Sequence, residues 1–212
     1  MTITVVVQGT GTANARPDRA VLLFEVGHTA PTSPEALRNV AERTTSLEAV
    51  LRERGVADAD WTTAGVTVQP AYEWRRDEHV LLGQRAVNRL QVTTRDAALV
   101  GRLLTDAVES AGARVGGPQW VVEPENPAHL EACRAAAADA RRRAQAYADG
   151  LGLALGPVVS VDETHHEEPV PRGRMMMATA TAAADESAPL DVSAGDMEVS
   201  AEVVVTFTLV PD

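Results

Sequence analysis

Two histidines, two glutamates and three methionines lie within one polar stretch of the chain. His165-His166-Glu167-Glu168 is followed by Met175-Met176-Met177. Imidazole suits Zn or Cu(II), and thioether sulfur suits Cu(I). A loop wrapped around an ion would make His165, His166, Glu167, Met175, Met176 and Met177 a metal or small-ligand site. Such a site also needs fixed geometry and outer support. The surrounding residues are rich in Pro and Ala, so a solvated loop with incidental residues is the stronger reading. The three methionines also form a small apolar patch suited to a contact in an oligomer. No resident cofactor is expected.

His129 and Cys133 stand four residues apart and fall on neighbouring turns of one helix. They are the nearest approach to a nucleophile and base. His129 would sit in an exposed first turn, and no G-x-S-x-G elbow occurs. An enzyme would need a pocket around His129 or His28, so the expectation is a protein that is not an enzyme. Cys133 is the only cysteine, which excludes an intramolecular disulfide or a cysteine metal cluster. Its place on an apolar stripe predicts a small buried hydrophobe. Gly9-Thr10-Gly11 lacks the third glycine and the following helix of a dinucleotide loop. Arg141-Arg142-Arg143 reads as a solvated helix face, or as a partner for acidic groups on a second subunit.

The elements that would position these residues are clearest from Asn126 to Gly152. Asn126 is a favoured N-cap, Pro127 fits the first helical position, and Gly150 and Gly152 are stop signals. Leu130, Cys133, Ala137, Ala140, Ala144, Tyr147 and Leu151 recur at helical spacing and predict the buried stripe. Asp139→Arg143 is a supportive i,i+4 pair on another face. The small residues of the stripe would let a sheet approach the helix backbone closely.

Earlier in the chain, Ile3–Val7 and Ala20–Val26 read as strands joined by the turn Arg16-Pro17-Asp18, an opening hairpin. Thr32 or Ser33 caps a helix whose apolar face is Leu37, Val40, Thr44, Leu47 and Leu51. Val66, Val68, Pro70 and Tyr72 alternate as a half-buried strand, and the proline places it at an edge. A return strand carries Ala86, Asn88, Leu90 and Val92. Asp96 caps a second helix with Leu99, Leu103, Ala107 and Ala111, ended by Gly112. Short strands at 120–122 and 158–161 follow. Residues 162–196 read as a long loop or partly disordered insertion, before a strongly alternating strand from Val199 to Leu209. The order β-β-α-β-β-α-β-α-β-β predicts an α+β fold with a mostly antiparallel twisted sheet and three helices. Its middle has the split βαβ order of ferredoxin-like units. The expected division is one domain over 1–212, with a ferredoxin-like portion at about 30–123 and a second portion from 1–29 with 124–212.

The chain has 212 residues, 45% hydrophobic and only 3% aromatic, so Val, Leu and Ala must build the core. Its formal net charge is −11 and it contains no lysine. An acidic surface repels phosphate backbones, so nucleic acid is not an expected partner. No window is long enough to span a membrane. The N-terminus lacks the basic and apolar regions of a signal peptide, which predicts a cytoplasmic location.

Several of these segments, in order, resemble the SIMPL family, a domain of unknown function. Gly9-Thr10-Gly11 with Arg16-Pro17-Asp18 is similar to its opening, and Asp60-Trp61-Thr62-Thr63 to its entry into the edge strand. The Ala-rich helix with Tyr147-Ala148, Gly152 and Leu155-Gly156-Pro157-Val158 is similar to its most recognisable block. Pro189, Gly195-Asp196 and the strand to Leu209 resemble its end. The resemblance implies no agreed catalytic site. It implies bacterial relatives that are often exported, associate with the envelope or oxidative-stress resistance, and self-assemble. A mammalian member is an adaptor for a kinase of the interleukin-receptor pathway, and no residue here points to that partner. The expectation is therefore a non-enzymatic homo-oligomer acting through self-assembly or protein binding, in stress protection. The alternative is the metal or small-ligand binder of the His/Met loop.

Overall fold

The computed structural model describes residues 2–75, 78–163 and 192–211. The strands are β1 (Ile3–Ala15), β2 (Arg19–Ala30), β3 (Trp61–Arg75), β4 (Glu78–Thr94), β5 (Arg114–Val121), β6 (Leu153–Glu163) and β7 (Met197–Pro211). The helices are α1 (Ser33–Glu53), α2 (Ala97–Ala111) and α3 (Pro127–Leu151). This is an α+β fold in the element order that the sequence patterns predict. Two antiparallel sheets form, of order β1-β7-β6 and β3-β4-β2-β5. They belong to two compact units, the first with α3 and the second with α1 and α2.

The helix ends follow local chemistry. Asn126 and Asp96 accept hydrogen bonds from the N–H groups of Ala128 and Ala98 at 3.0 and 2.9 Å. Of the two candidates for α1, Thr32 is the cap. Gly112 and Gly152 end α2 and α3 at φ values of 57° and 67°, where a side chain would be strained. Gly150 lies inside α3.

The opening hairpin does not form. β1 pairs along its whole length with β7, from Ile3↔Leu209 to Ala15↔Met197. β2 instead lies between β4 and β5. Side-chain size explains the separation. The inward residues of β1 include Gly9, Gly11 and Ala15, whereas those of β2 are Ala20, Leu22, Phe24 and Val26. The first set suits a closely laid helix and the second a thick core. Arg16-Pro17-Asp18 redirects the chain from one sheet to another.

The second unit therefore starts with β2. The run β2-α1-β3-β4-α2-β5 in sheet order β3-β4-β2-β5 is the split βαβ arrangement, with β3 at an edge. Its core joins Leu22, Phe24 and Val26 to Leu47 and Leu51 of α1, Leu90 and Val92 of β4, and Val100 and Leu103 of α2. Leu37, expected on the buried face of α1, is 40% exposed, and Ala36 is buried in its place.

The first unit lays α3 across β1 and β7, and here only Ala140 and Ala144 of the expected stripe are buried. Leu130, Tyr147 and Leu151 are 61%, 59% and 65% exposed, and Cys133 is exposed too. The buried face is Ala128, Ala132, Ala136, Ala140, Ala144 and Ala148, together with Asp139. Helix and strand approach so closely that only alanine fits between them. Tight contact replaces side-chain volume as the source of dispersion. Of the expected loop at 162–196, Asp162 and Glu163 belong to β6, and residues 164–191 lie outside the described residues.

Candidate functional site

The polar features of the first unit gather where α3 crosses β1. A Cβ on Gly9 would come within 2.7 Å of the Ala140 Cβ, and one on Gly11 within 2.7 Å of the Ala135 carbonyl carbon. The two glycines thus exist to admit a helix backbone. Between them, the Thr10 N–H turns away from β7 and donates to Asp139 Oδ2 at 3.1 Å. Arg143 Nε holds the same carboxylate at 2.8 Å, and Arg142 contacts its other oxygen. The arginine run is therefore only partly a solvated face.

The Thr10 N–H bond is the largest influence on Asp139 and holds its carboxyl below the usual carboxylate range. Burial opposes it, and the Arg143 and Arg142 charges reinforce it. A carboxylate with a folded-state pKa below its unfolded value of about 3.9 stabilises the fold above that pH. The contribution is lost as pH falls through the folded-state value. Asp139→Asn should therefore lower the urea midpoint at pH 7 and flatten its fall below about pH 4. Parallel pH profiles of the two proteins check this, and profiles of equal slope would contradict it.

This clamp closes one edge of the first sheet. At the other edge, Val158, Val159 and Val161 of β6 are 50%, 58% and 62% exposed, and among the described residues no further strand pairs with β6. Val159 has no partner in β7, because the register steps from Val158 to Ser160.

The second unit joins two polar residues that the sequence pattern places on inward faces, Thr44 and Asn88, both buried. Asn88 Nδ2 donates to Thr44 Oγ1 at 3.2 Å, and Thr44 donates to the Val40 carbonyl. Between α2 and β5 runs an open groove of about 450 Å³, lined by Leu104, Thr105, Val108, Glu109, Val115 and Gly117. Its lining holds a single titratable group.

The structure places the other candidates as follows. His129 lies in the first turn of α3, half-buried, and Cys133 one turn on is exposed. His28 is half-buried on β2. His165, His166, Glu167, Met175, Met176 and Met177 lie outside the described residues. Among the described residues no group of three His, Cys, Asp or Glu is placed to hold a metal ion.

A family model described as SIMPL, protein of unknown function (DUF541), matches residues 5–207. The chain belongs to the SIMPL family. Among its SIMPL relatives, the 26 kDa periplasmic immunogenic protein of Brucella melitensis is 32% identical over 209 residues, covering 94% of this chain and 83% of that protein. The uncharacterized protein YggE of Escherichia coli (strain K12) is 30% identical over 208 residues, covering 98% of this chain and 83% of that one. A solved amidase of the hydantoinase/carbamoylase family from Burkholderia phymatum overlaps 54% of this chain and 29% of its own. Its identity of 19% and TM-score of 0.25 carry no weight for fold or activity.

The word "periplasmic" in the names of the Brucella melitensis and Brucella abortus relatives overturns the cytoplasmic location expected for this SIMPL chain. A leader is removed in the mature protein, so an N-terminus without one does not decide the compartment. Among the described residues no helix is long and apolar enough to cross a membrane.

Proposed function

We propose that this SIMPL protein works outside the cytoplasm as a non-enzymatic self-associating protein, with protection against stress as the setting of the assembly. The observation that carries this reading is the unequal treatment of the two edges of the first sheet. At β1, Asp139 occupies an outward N–H that another strand would need. At β6, three exposed β-branched residues occur, and one of them, Val159, has no register partner in β7. An open edge of this kind is a template for a further strand unless charge or proline blunts it. Asp162 and Glu163 end β6 on a charged note, but its centre is Val158-Val159-Ser160-Val161.

The test is the mass in solution at micromolar concentration, by light scattering, for the wild type and Val159→Pro. Val159 is a bulge position of an edge strand, one of the places in a sheet that accept proline, and a proline there blunts the edge. The expected result is a wild-type oligomer and at least a twofold lower mass for the variant. A variant with unchanged mass would sink the β6 edge as the contact.

A further inference from the structure

The hairpin of β3 and β4 carries a second surface that needs a partner. On β4, Ala86, Asn88, Leu90 and Val92 are buried beneath the helices. Their cross-strand partners on β3 are Val68, Val66, Thr63 and Trp61, so Val66 and Val68 share the helix-side face. Alternation along β3 continues that face through Pro70, Tyr72 and Trp74. Tyr72 pairs with Leu81, and Trp74 with His79. Both helices pack on β2 and β4, and neither packs to any extent on β3. Val66, Val68, Tyr72, Trp74 and Leu81 are 54%, 38%, 57%, 60% and 55% exposed. The rings are set in edge-on contact, with Trp74 and His79 centroids 4.6 Å apart and Tyr72 and His79 6.2 Å apart.

The sorting of charge on this hairpin is the informative observation. Glu73, Glu78, Arg85 and Arg89 all alternate onto the opposite face. From Val66 to Trp74 and from His79 to Ala86, the helix-side face holds no carboxylate, no arginine and one histidine. We propose that this face packs against the same face of a second copy, across a two-fold axis. The inference rests on the reading that the chain self-associates, but it uses a different surface from the β6 edge.

Charge, area, symmetry and composition select a second copy. A chain of net charge −11 repels its own kind, and a face that presents no charge lets two copies meet at the least electrostatic cost. The same net charge disfavours an anionic lipid surface. At their exposed fractions the stripe residues present on the order of 500 Å² per chain, so two copies would bury about 1,000 Å² together, the size at which a specific interface begins. A two-fold contact brings identical patches together, and an uncharged aromatic stripe meets that condition of self-complementarity. Tyr and Trp are also the side chains that most often anchor interfaces.

The experiment compares wild type, Leu81→Glu, Val159→Pro and the double variant by sedimentation equilibrium, with circular dichroism confirming the fold of each. Leu81→Glu places two carboxylates against each other across the axis and removes nothing from a core. If the hairpin face and the β6 edge both bind copies, each single variant lowers the mass and the double variant is a monomer. If Leu81→Glu keeps the wild-type mass while Val159→Pro lowers it, the hairpin inference fails and the edge reading stands. If only Leu81→Glu lowers the mass, the hairpin face stands and the edge reading fails. A monomeric wild type removes both. Trp74 supplies a second readout: wild-type emission should shift to the blue as concentration rises, and Trp74→Phe should lose that shift. A blue shift seen only with phosphatidylcholine vesicles, at constant protein mass, would overturn the proposal in favour of a lipid surface.

Discussion

Gly11→Ala should destabilise the first unit by about 3 kcal/mol or more. The added methyl would fall inside contact distance of Ala132 O and Ala136 N, which are backbone atoms of α3 and cannot rotate away. The backbone at Gly11 is ordinary extended strand, so the effect is one of space and not of conformational preference. Relief requires moving α3 off β1 by about the thickness of a methyl group. That motion would stretch the Thr10 N–H bond to Asp139 and loosen the alanines at Ala132, Ala136 and Ala140 together. Overpacking a tight core costs typically 1–3 kcal/mol, and a contact with rigid backbone belongs at about 3 kcal/mol or above. Chemical denaturation with a probe in α3 measures it. A loss below about 1 kcal/mol would show that the helix can slide on the strand, and that the glycines are not the reason for the close approach.

The same contact shows what the sequence could and could not disclose. Caps at Asn126, Asp96, Gly112 and Gly152 were legible because each acts within a few residues of chain. The element order was legible because helical and strand periods differ. The partner of β1 was not, since the pairing Ile3↔Leu209 joins residues at opposite ends of the chain and neither carries a label for the other. The buried face of α3 is harder to read, because Leu130, Tyr147 and Leu151 are the large apolar residues of its helical pattern and all three are exposed. Size is the wrong guide where a helix lies almost on a strand. The better signal was alanine at every fourth residue from Ala128 to Ala148, set against Gly9 and Gly11 two apart in a strand. Asp139 was visible as an i,i+4 partner of Arg143, but its bond to Thr10 depends on a crossing that no local rule describes. Val66, Val68, Pro70 and Tyr72 alternate as a half-buried strand should, yet the structure leaves them exposed. Alternation identifies a face that favours cover and does not identify what covers it.

Phe24→Ala should have the largest effect in the second unit. Phe24 is one of only two phenylalanines in the chain and is fully buried. It stands in the middle of β2, opposite Leu90 on β4 and Val115 on β5. Leu22, Val26, Leu47, Leu51 and Leu103 share its cluster, so both helices and the central strands meet around it. Trp61 and Trp120 pack only at the margin of this cluster, and its branched aliphatic members have limited rotamers with which to refill the gap. Truncation therefore removes the transfer energy of the ring and leaves a cavity that collapses poorly, at a cost of about 3–5 kcal/mol. Against a typical domain stability of roughly 5–15 kcal/mol, that loss leaves the second unit marginal. Hydrogen exchange should show lost protection in β2, β4, α1 and α2, because each has side chains on the cavity wall. A destabilisation under about 1.5 kcal/mol would mean that α1 or α2 settles into the space. The sheet would then be held by its cross-strand bonds more than by the helices packed on it.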